Sequence, residues 1–170
     1  MYHKNQFSDL AALQTTLVQY LIHHNITIST AESCSGGLVS KLITDIPGCS
    51  AIYPGGVCSY SNEMKMKWLN VKESTLNTYG AVSEQTALEM AQGIRNVTGS
   101  DYGVSTTGVA GPGGGSAEKP VGLVYLAVVG KEYQRVEKLP LDPNQPLTRT
   151  SIQQQAASYA LQLLYEAVQQ

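Results

Sequence analysis

Charge is scarce in this chain: only 14% of its 170 residues are Asp, Glu, Lys or Arg, and the net charge is −2. Lysines and arginines are scattered rather than gathered, and a nucleic-acid partner would ask for a basic patch or stripe, so none is expected. Cysteine is limited to Cys34, Cys49 and Cys58, an odd set without C-x-x-C spacing. With no signal-like N-terminus, that set points to a reduced, cytoplasmic protein. No apolar run approaches the roughly 18 residues needed to span a bilayer, so no membrane partner is expected. Histidine is limited to His3, His23 and His24. The first lies in a short lead-in over residues 1–7 and the others close an N-terminal helix, which suits the negative end of its dipole. A Ser-His-Asp triad and most metal sites are thereby removed, and neither metal nor cofactor is expected. A hydrolase built from this chain needs another base, and lysine is the available one.

What remains is a folded composition, 42% apolar, in a length that fits one domain over 1–170. Ser8 is a candidate cap for a helix carrying Leu10, Leu13, Leu17 and Leu21. Ile26 to Thr30 alternates and is β-branched, as a strand does; Glu32 to Gly37 turns, and Leu38 to Ile46 is helical. Gly55 to Ser61 reads as a second strand, with Asn62 capping a helix through Lys65 to about Leu69. A helix follows from Ser83 to Gly99, then a strand over Tyr102 to Thr107. Val121 to Val129 is an apolar run suited to a buried central strand, Tyr133 to Leu139 to an antiparallel or edge partner. A last helix starts near Thr150, with Ile152, Ala156, Tyr159, Leu163 and Ala167 on one face. The order predicts a single-domain α/β protein, a mixed sheet with helices packed on it.

Two loops could carry chemistry. Thr30-Ala31-Glu32-Ser33-Cys34-Ser35-Gly36-Gly37 puts a hydroxyl between the end of a strand and the N–H groups of a helix start. Such a place can hold a phosphate or steady an oxyanion, and equally Ser33 and Ser35 could be helix caps. Gly108 to Gly115 also follows a strand, and its glycines let backbone approach a ligand. No Gly-Lys-Ser/Thr follows it, and Ser116 breaks the G-x-G-x-x-G pattern, so it is neither phosphate-loop type. Ser116-Ala117-Glu118-Lys119 matches S-x-x-K, but Gly115 and Pro120 flank it and deny the helix that this spacing needs. Lys65, early in its helix and preceded by Tyr60 at a strand end, is the better basic partner. Cys34 reads as buried packing.

Five ordered motifs, TAESCSGG (30–37), GGVCSYSNEMK (55–65), GAVSEQTALEMAQG (80–93), TTGVAGPGGGSAEKPVG (106–122) and a closing helix at Arg149, resemble the C-terminal domain of CinA over about residues 8 to 168. The resemblance implies an amidohydrolase that, without metal, converts nicotinamide mononucleotide and water to nicotinate mononucleotide and ammonia. It implies Ser33 as nucleophile, Lys65 as base and Tyr60 as the group that orients the pair or relays a proton. The acyl oxygen would then sit against N–H groups at Gly36 and Gly37, Thr107 and Gly108 with the glycine loop would hold ribose or phosphate, and Arg149 would pair with the phosphate. A homo-oligomer is expected on the same ground. A non-catalytic nucleotide-binding or regulatory module, or an amidase for a different amide, are the alternatives. This chain departs from the family pattern at Ser35 (usually Thr), Gly113 (usually Asp), Leu147-Thr148 (usually Gly-Asp) and Gln153 (usually Arg).

Overall fold

A computed structural model describes residues 9–170; the expected lead-in and the Ser8 cap lie outside the described residues. The first helix, α1 (Leu10–His24), is capped by Asp9, whose side chain accepts from the Ala11 N–H, and ends on Asn25 in the left-handed conformation. The strand β1 (Ile28–Glu32) follows, then α2 (Leu38–Thr44), β2 (Gly55–Cys58), α3 (Asn62–Leu69) and α4 (Glu73–Tyr79). After these come α5 (Glu84–Thr98), β3 (Tyr102–Gly108), β4 (Val124–Val129), β5 (Gln134–Lys138) and α6 (Arg149–Val168). The cap of α3 is Ser61 rather than Asn62: its side chain accepts from the Met64 N–H, and Asn62 is already helical. The short α4 was not expected, because ESTLNTY buries only Thr75 and Leu76 and shows no amphipathic repeat.

The five strands form one mixed sheet in the order β2-β1-β3-β4-β5. β1 runs parallel to both β2 and β3, while β4 is antiparallel to β3 and β5. The apolar run expected as a central strand is an interior one, one place from the edge, and β5 is the edge strand. β4 starts three residues later than expected, because Gly122 and Leu123 donate back to Val109 and Pro120 and close the preceding loop.

Side chains alternate across the strands and give the sheet two covered faces. Ile28, Val104, Val124, Leu126 and Val128 pack with α1, α2 and α6, where Leu17 and Leu21 are fully buried. Each such leucine contributes about 1.5–3 kcal/mol by leaving water. On the other face Ala31, Ala127 and Val129 meet α3, α4 and α5. The second face uses small residues so that α5 can approach closely. Gly103 has no room for a Cβ beneath the Ala91 carbonyl, and Ser105 donates to the Ala87 carbonyl. Within that layer, a Cβ on Gly93 of α5 would stand 2.0 Å from the Leu69 carbonyl oxygen of α3. Gly93→Ala is therefore expected to cost about 3 kcal/mol through overpacking of two backbones, a fall of about 6–12 °C in Tm. Thermal unfolding followed by circular dichroism reads it, and an unchanged midpoint would contradict so close an approach.

Candidate active site

β1 lies between its parallel neighbours, so the chain leaves it towards β2 and returns on the other side as β3. A crevice at the carboxyl ends of such strands is where open α/β sheets bind ligands. Ser33 sits there, immediately after β1, its N–H donating to the Thr106 carbonyl (3.0 Å) and continuing the ladder. Continuing the alternation sends Glu32 to the α2 face, Ser33 to the α3 face and Cys34 into the core beneath α6. Lys65, on the second turn of α3, reaches across to it: Nζ lies 3.0 Å from Ser33 Oγ and 2.5 Å from the Ser59 carbonyl oxygen.

Lys65 is 1% exposed and Ser33 9% exposed. Among the described residues none of the ion pairs includes Lys65. Burial without a balancing carboxylate disfavours the ammonium, and it lowers the Lys65 pKa from 10.5 to about 8. The expected serine–lysine contact is thus present, with a lysine that becomes neutral at mildly alkaline pH. As the amine it can keep one N–H on Ser59 and turn its lone pair to the Ser33 hydroxyl. Cys34 behaves as expected: it is buried, and burial pushes its thiol up to about 12, so it carries little thiolate at neutral pH.

Glu32 is the main residue that sequence reasoning missed. It is 1% exposed and among the described residues forms no ion pair, yet its carboxylate is fully engaged. Oε2 accepts from Ser35 Oγ (2.6 Å), Gly37 N (3.0 Å) and Val39 N (3.0 Å). Oε1 accepts from Ser40 N (2.8 Å) and Ser40 Oγ (2.6 Å). A carboxylate here meets the positive end of α2 and its orphan donors. One signal was available: the residue before Leu38 is glycine, Gly37, which forms no side-chain cap, so some other group had to supply one. Thr106 completes the network, 2.6 Å from Ser35 Oγ.

This arrangement corrects the expectation for Gly36 and Gly37. The Gly37 N–H is taken by Glu32, and the Gly36 N–H donates to the Ser33 carbonyl (3.2 Å); neither amide is open to an oxyanion. Among the described residues two amides next to Ser33 along the chain, those of Cys34 and Ser35, are left without an acceptor. Thr107 and Gly108 also turn out to be framework. The Thr107 hydroxyl donates to the Ala81 carbonyl (2.7 Å) below α5, and a Cβ on Gly108 would meet the Leu123 carbonyl at 2.6 Å. Tyr60 is brought to the site's rim rather than to the pair: it is 65% exposed, and its phenol accepts from Arg149 NH2 at 2.7 Å. Arg149 opens α6 and also donates to the Gly111 carbonyl (2.9 Å), tying the glycine loop to the β2–α3 turn. Ser116 and Lys119 form a turn, not a helix, with the Lys119 N–H donating to Ser116 Oγ (3.0 Å).

Gln153, where the resemblance noted in the sequence leads to an expectation of arginine, donates from Nε2 to the Cys34 carbonyl (2.9 Å). It lines a cleft of about 410 Å³ with Ser35, Gly36, Gly37, Lys41 and Thr150, between the starts of α2 and α6. A wider groove of about 1460 Å³ runs over Leu10, Leu13, Leu139 and Tyr159. It shares no residue with the Ser33–Lys65 pair, so chemistry is argued from the pair. Among the described residues no three His, Cys, Asp or Glu are grouped to hold a metal ion, and no helix is long and apolar enough to cross a membrane.

Comparison with known proteins agrees with the architecture. The "competence/damage inducible protein CihA" of Agrobacterium tumefaciens superposes with a TM-score of 0.89 at 38% identity, over 99% of this chain and 100% of that one. An Escherichia coli protein described as of the competence-damaged protein (CinA) superfamily gives 0.87 at 29% identity, over 96% and 94%. Among curated relatives, a "putative competence-damage inducible protein" of Clostridium novyi is 54% identical over 129 residues, 76% of this chain and 31% of its own. A "CinA-like protein" of Kosmotoga olearia is 46% identical over 157 residues, 92% and 37%. The chain thus spans about a third of the length of the curated relatives it matches. The family profile of the CinA C-terminal domain matches residues 10–168, and the chain belongs to the CinA C-terminal domain family.

Proposed function

We propose that this protein is an amidohydrolase that deamidates nicotinamide mononucleotide, with Ser33 as nucleophile and Lys65 as base. The observation that carries the proposal is the buried 3.0 Å contact between Ser33 Oγ and a lysine whose pKa is lowered to about 8. Neutral Lys65 takes the hydroxyl proton as Ser33 Oγ bonds to the carboxamide carbon, and the π pair moves onto oxygen. When the carbonyl reforms, the C–N bond breaks and the Lys65 proton goes to the leaving amine, which departs as ammonia. Water then attacks the acyl-serine, giving one proton to Lys65 that returns to Ser33 Oγ, and the carboxylic acid product leaves and ionises, its proton taken up by the released ammonia. Arg149, with Tyr60 beside it, is the group suited to the substrate phosphate, which would compete with the Gly111 carbonyl for its N–H donors.

One observation favours a second reading, an amidase of the same mechanism for a different amide. Two of the five Arg149 donors already have partners, and Gly113 brings no carboxylate to the glycine loop. Purified protein incubated with nicotinamide mononucleotide, with ammonia and nicotinate mononucleotide both quantified, separates the two. Stoichiometric release of both products is expected. No release, with turnover of another carboxamide, would move the assignment to the second reading; no turnover of any amide would overturn both.

A further inference from the structure

Five constraints converge on the peptide between Cys34 and Ser35. Its carbonyl is held from α6 by Gln153 Nε2 at 2.9 Å. The Ser35 side chain is held by Glu32 (2.6 Å) and Thr106 (2.6 Å). The turn around it is closed by the Gly36 N–H on the Ser33 carbonyl (3.2 Å), and Cys34 is anchored in the core under α6. This peptide is trans, since the cis bond among the described residues is Gly111-Pro112. In a trans peptide the N–H points opposite to the C=O. With the carbonyl drawn to α6 on one face of the sheet, the Ser35 N–H is turned towards the other. That is the face from which Lys65 of α3 reaches Ser33. Among the described residues the Ser35 N–H has no acceptor, as is also true of the Cys34 N–H. Of the two, only the Ser35 N–H belongs to the peptide whose carbonyl Gln153 holds, and an unpaired amide so close to a nucleophile is placed to meet a developing oxyanion.

We propose that Gln153 is a positioning residue: by holding the Cys34 carbonyl it aims the Ser35 N–H at the oxygen of a tetrahedral intermediate on Ser33. It touches neither substrate nor the reacting atoms. This rests on the amidohydrolase reading above. It gives a role in this chain to a position where the sequence resemblance leads to an expectation of arginine.

The test compares wild type with Gln153→Glu, which keeps size and cannot donate, and Gln153→Ala. Both sit near the start of α6, where a carboxylate is tolerated by the helix dipole; thermal midpoints check that both fold. Steady-state kinetics are measured on nicotinamide mononucleotide and on its thioamide analogue, whose sulfur is a poor hydrogen-bond acceptor. Both variants are expected to lose about tenfold or more in kcat on the amide, with KM within about threefold. The loss is expected to be smaller on the thioamide, so the amide-to-thioamide ratio of kcat shrinks. An unchanged kcat, or equal losses on both substrates, would overturn the role of Gln153 alone. Wild-type protein that hydrolyses neither compound would overturn the amidohydrolase reading and this inference with it.

Discussion

Ser33→Ala and Lys65→Met are each expected to lower kcat by roughly 10⁴-fold, and the double variant is expected to be no slower than either single one. The reason is that in the proposed mechanism the two side chains act as one unit. Without Lys65 the Ser33 hydroxyl keeps its proton and is a weak nucleophile; without Ser33 the amine has nothing to activate. Methionine is the informative replacement at Lys65 because the site is 1% exposed and the unbranched stem can be matched in volume. Removing a buried charge in favour of an apolar side chain of similar size is commonly neutral or stabilising. The lost donor to the Ser59 carbonyl offsets this by about 1 kcal/mol. Lys65→Met is therefore expected to be inactive while its thermal midpoint stays near that of wild type. Ammonia release and thermal unfolding on the same preparations read both quantities. A double variant slower than the singles by a further factor near 10⁴ would mean that the residues act independently, and the pair would be lost as a mechanism.

Below pH 8, kcat/KM is expected to fall about tenfold for each unit of pH, reaching about one hundredth of its plateau at pH 6. Only the neutral amine can accept the serine proton, and burial lowers the Lys65 pKa from 10.5 to about 8. Activity therefore rises with pH up to about 8 and levels above it. A rise centred near 10.5 would place Lys65 in water, contrary to its burial, and a flat profile from pH 6 to 9 would assign the base to another group. The same displacement acts on stability. An unfolded chain holds this proton up to about 10.5 and the folded one only up to about 8, so between those values the unfolded state binds more protons. Stability from this group thus rises with pH across that window, and is flat below 8 and above 10.5. Wild type and Lys65→Met compared in denaturant at pH 7.5 and 10 would show the difference.

Much of the fold was legible because it rests on local signals. Ser83 and Gly99 bracket α5 as read from the sequence, and the glycine and proline positions mark the turns around β1 and α2. The misses are places where tertiary contact decides. The short α4 is held by packing of Leu76 and by the Glu89 carboxylate on Thr75 and Lys72, neither of which leaves a periodic trace. Strand order, with β4 and β5 turned antiparallel on one side, also has no local code. At the site, the contact between Ser33 and Lys65 was legible through motif order, since a serine after a strand and a lysine on a helix are ordinary residues taken singly. Tyr60, Thr107 and Gly108 lie in the same motifs, but adjacency in a motif says nothing of which way a side chain points. Tyr60 turns to Arg149 and Thr107 to Ala81. Glu32 escaped because a buried carboxylate without a cation is rare, and its five donors come from a turn and helix that must already be folded.

The carboxylate set over the start of α2 has a bearing on inhibition. A bare helix N-terminus beside the proposed nucleophile would attract any small anion in the surrounding solution, from inorganic phosphate to free nucleotides. Here the chain's own Glu32 occupies that position, with Gly37, Val39 and Ser40 as its donors. A bystander anion meets a site already filled, and one that repels it. Under the proposed function, discrimination between a phosphorylated amide and the phosphate salts around it would then fall to the rim, at Arg149.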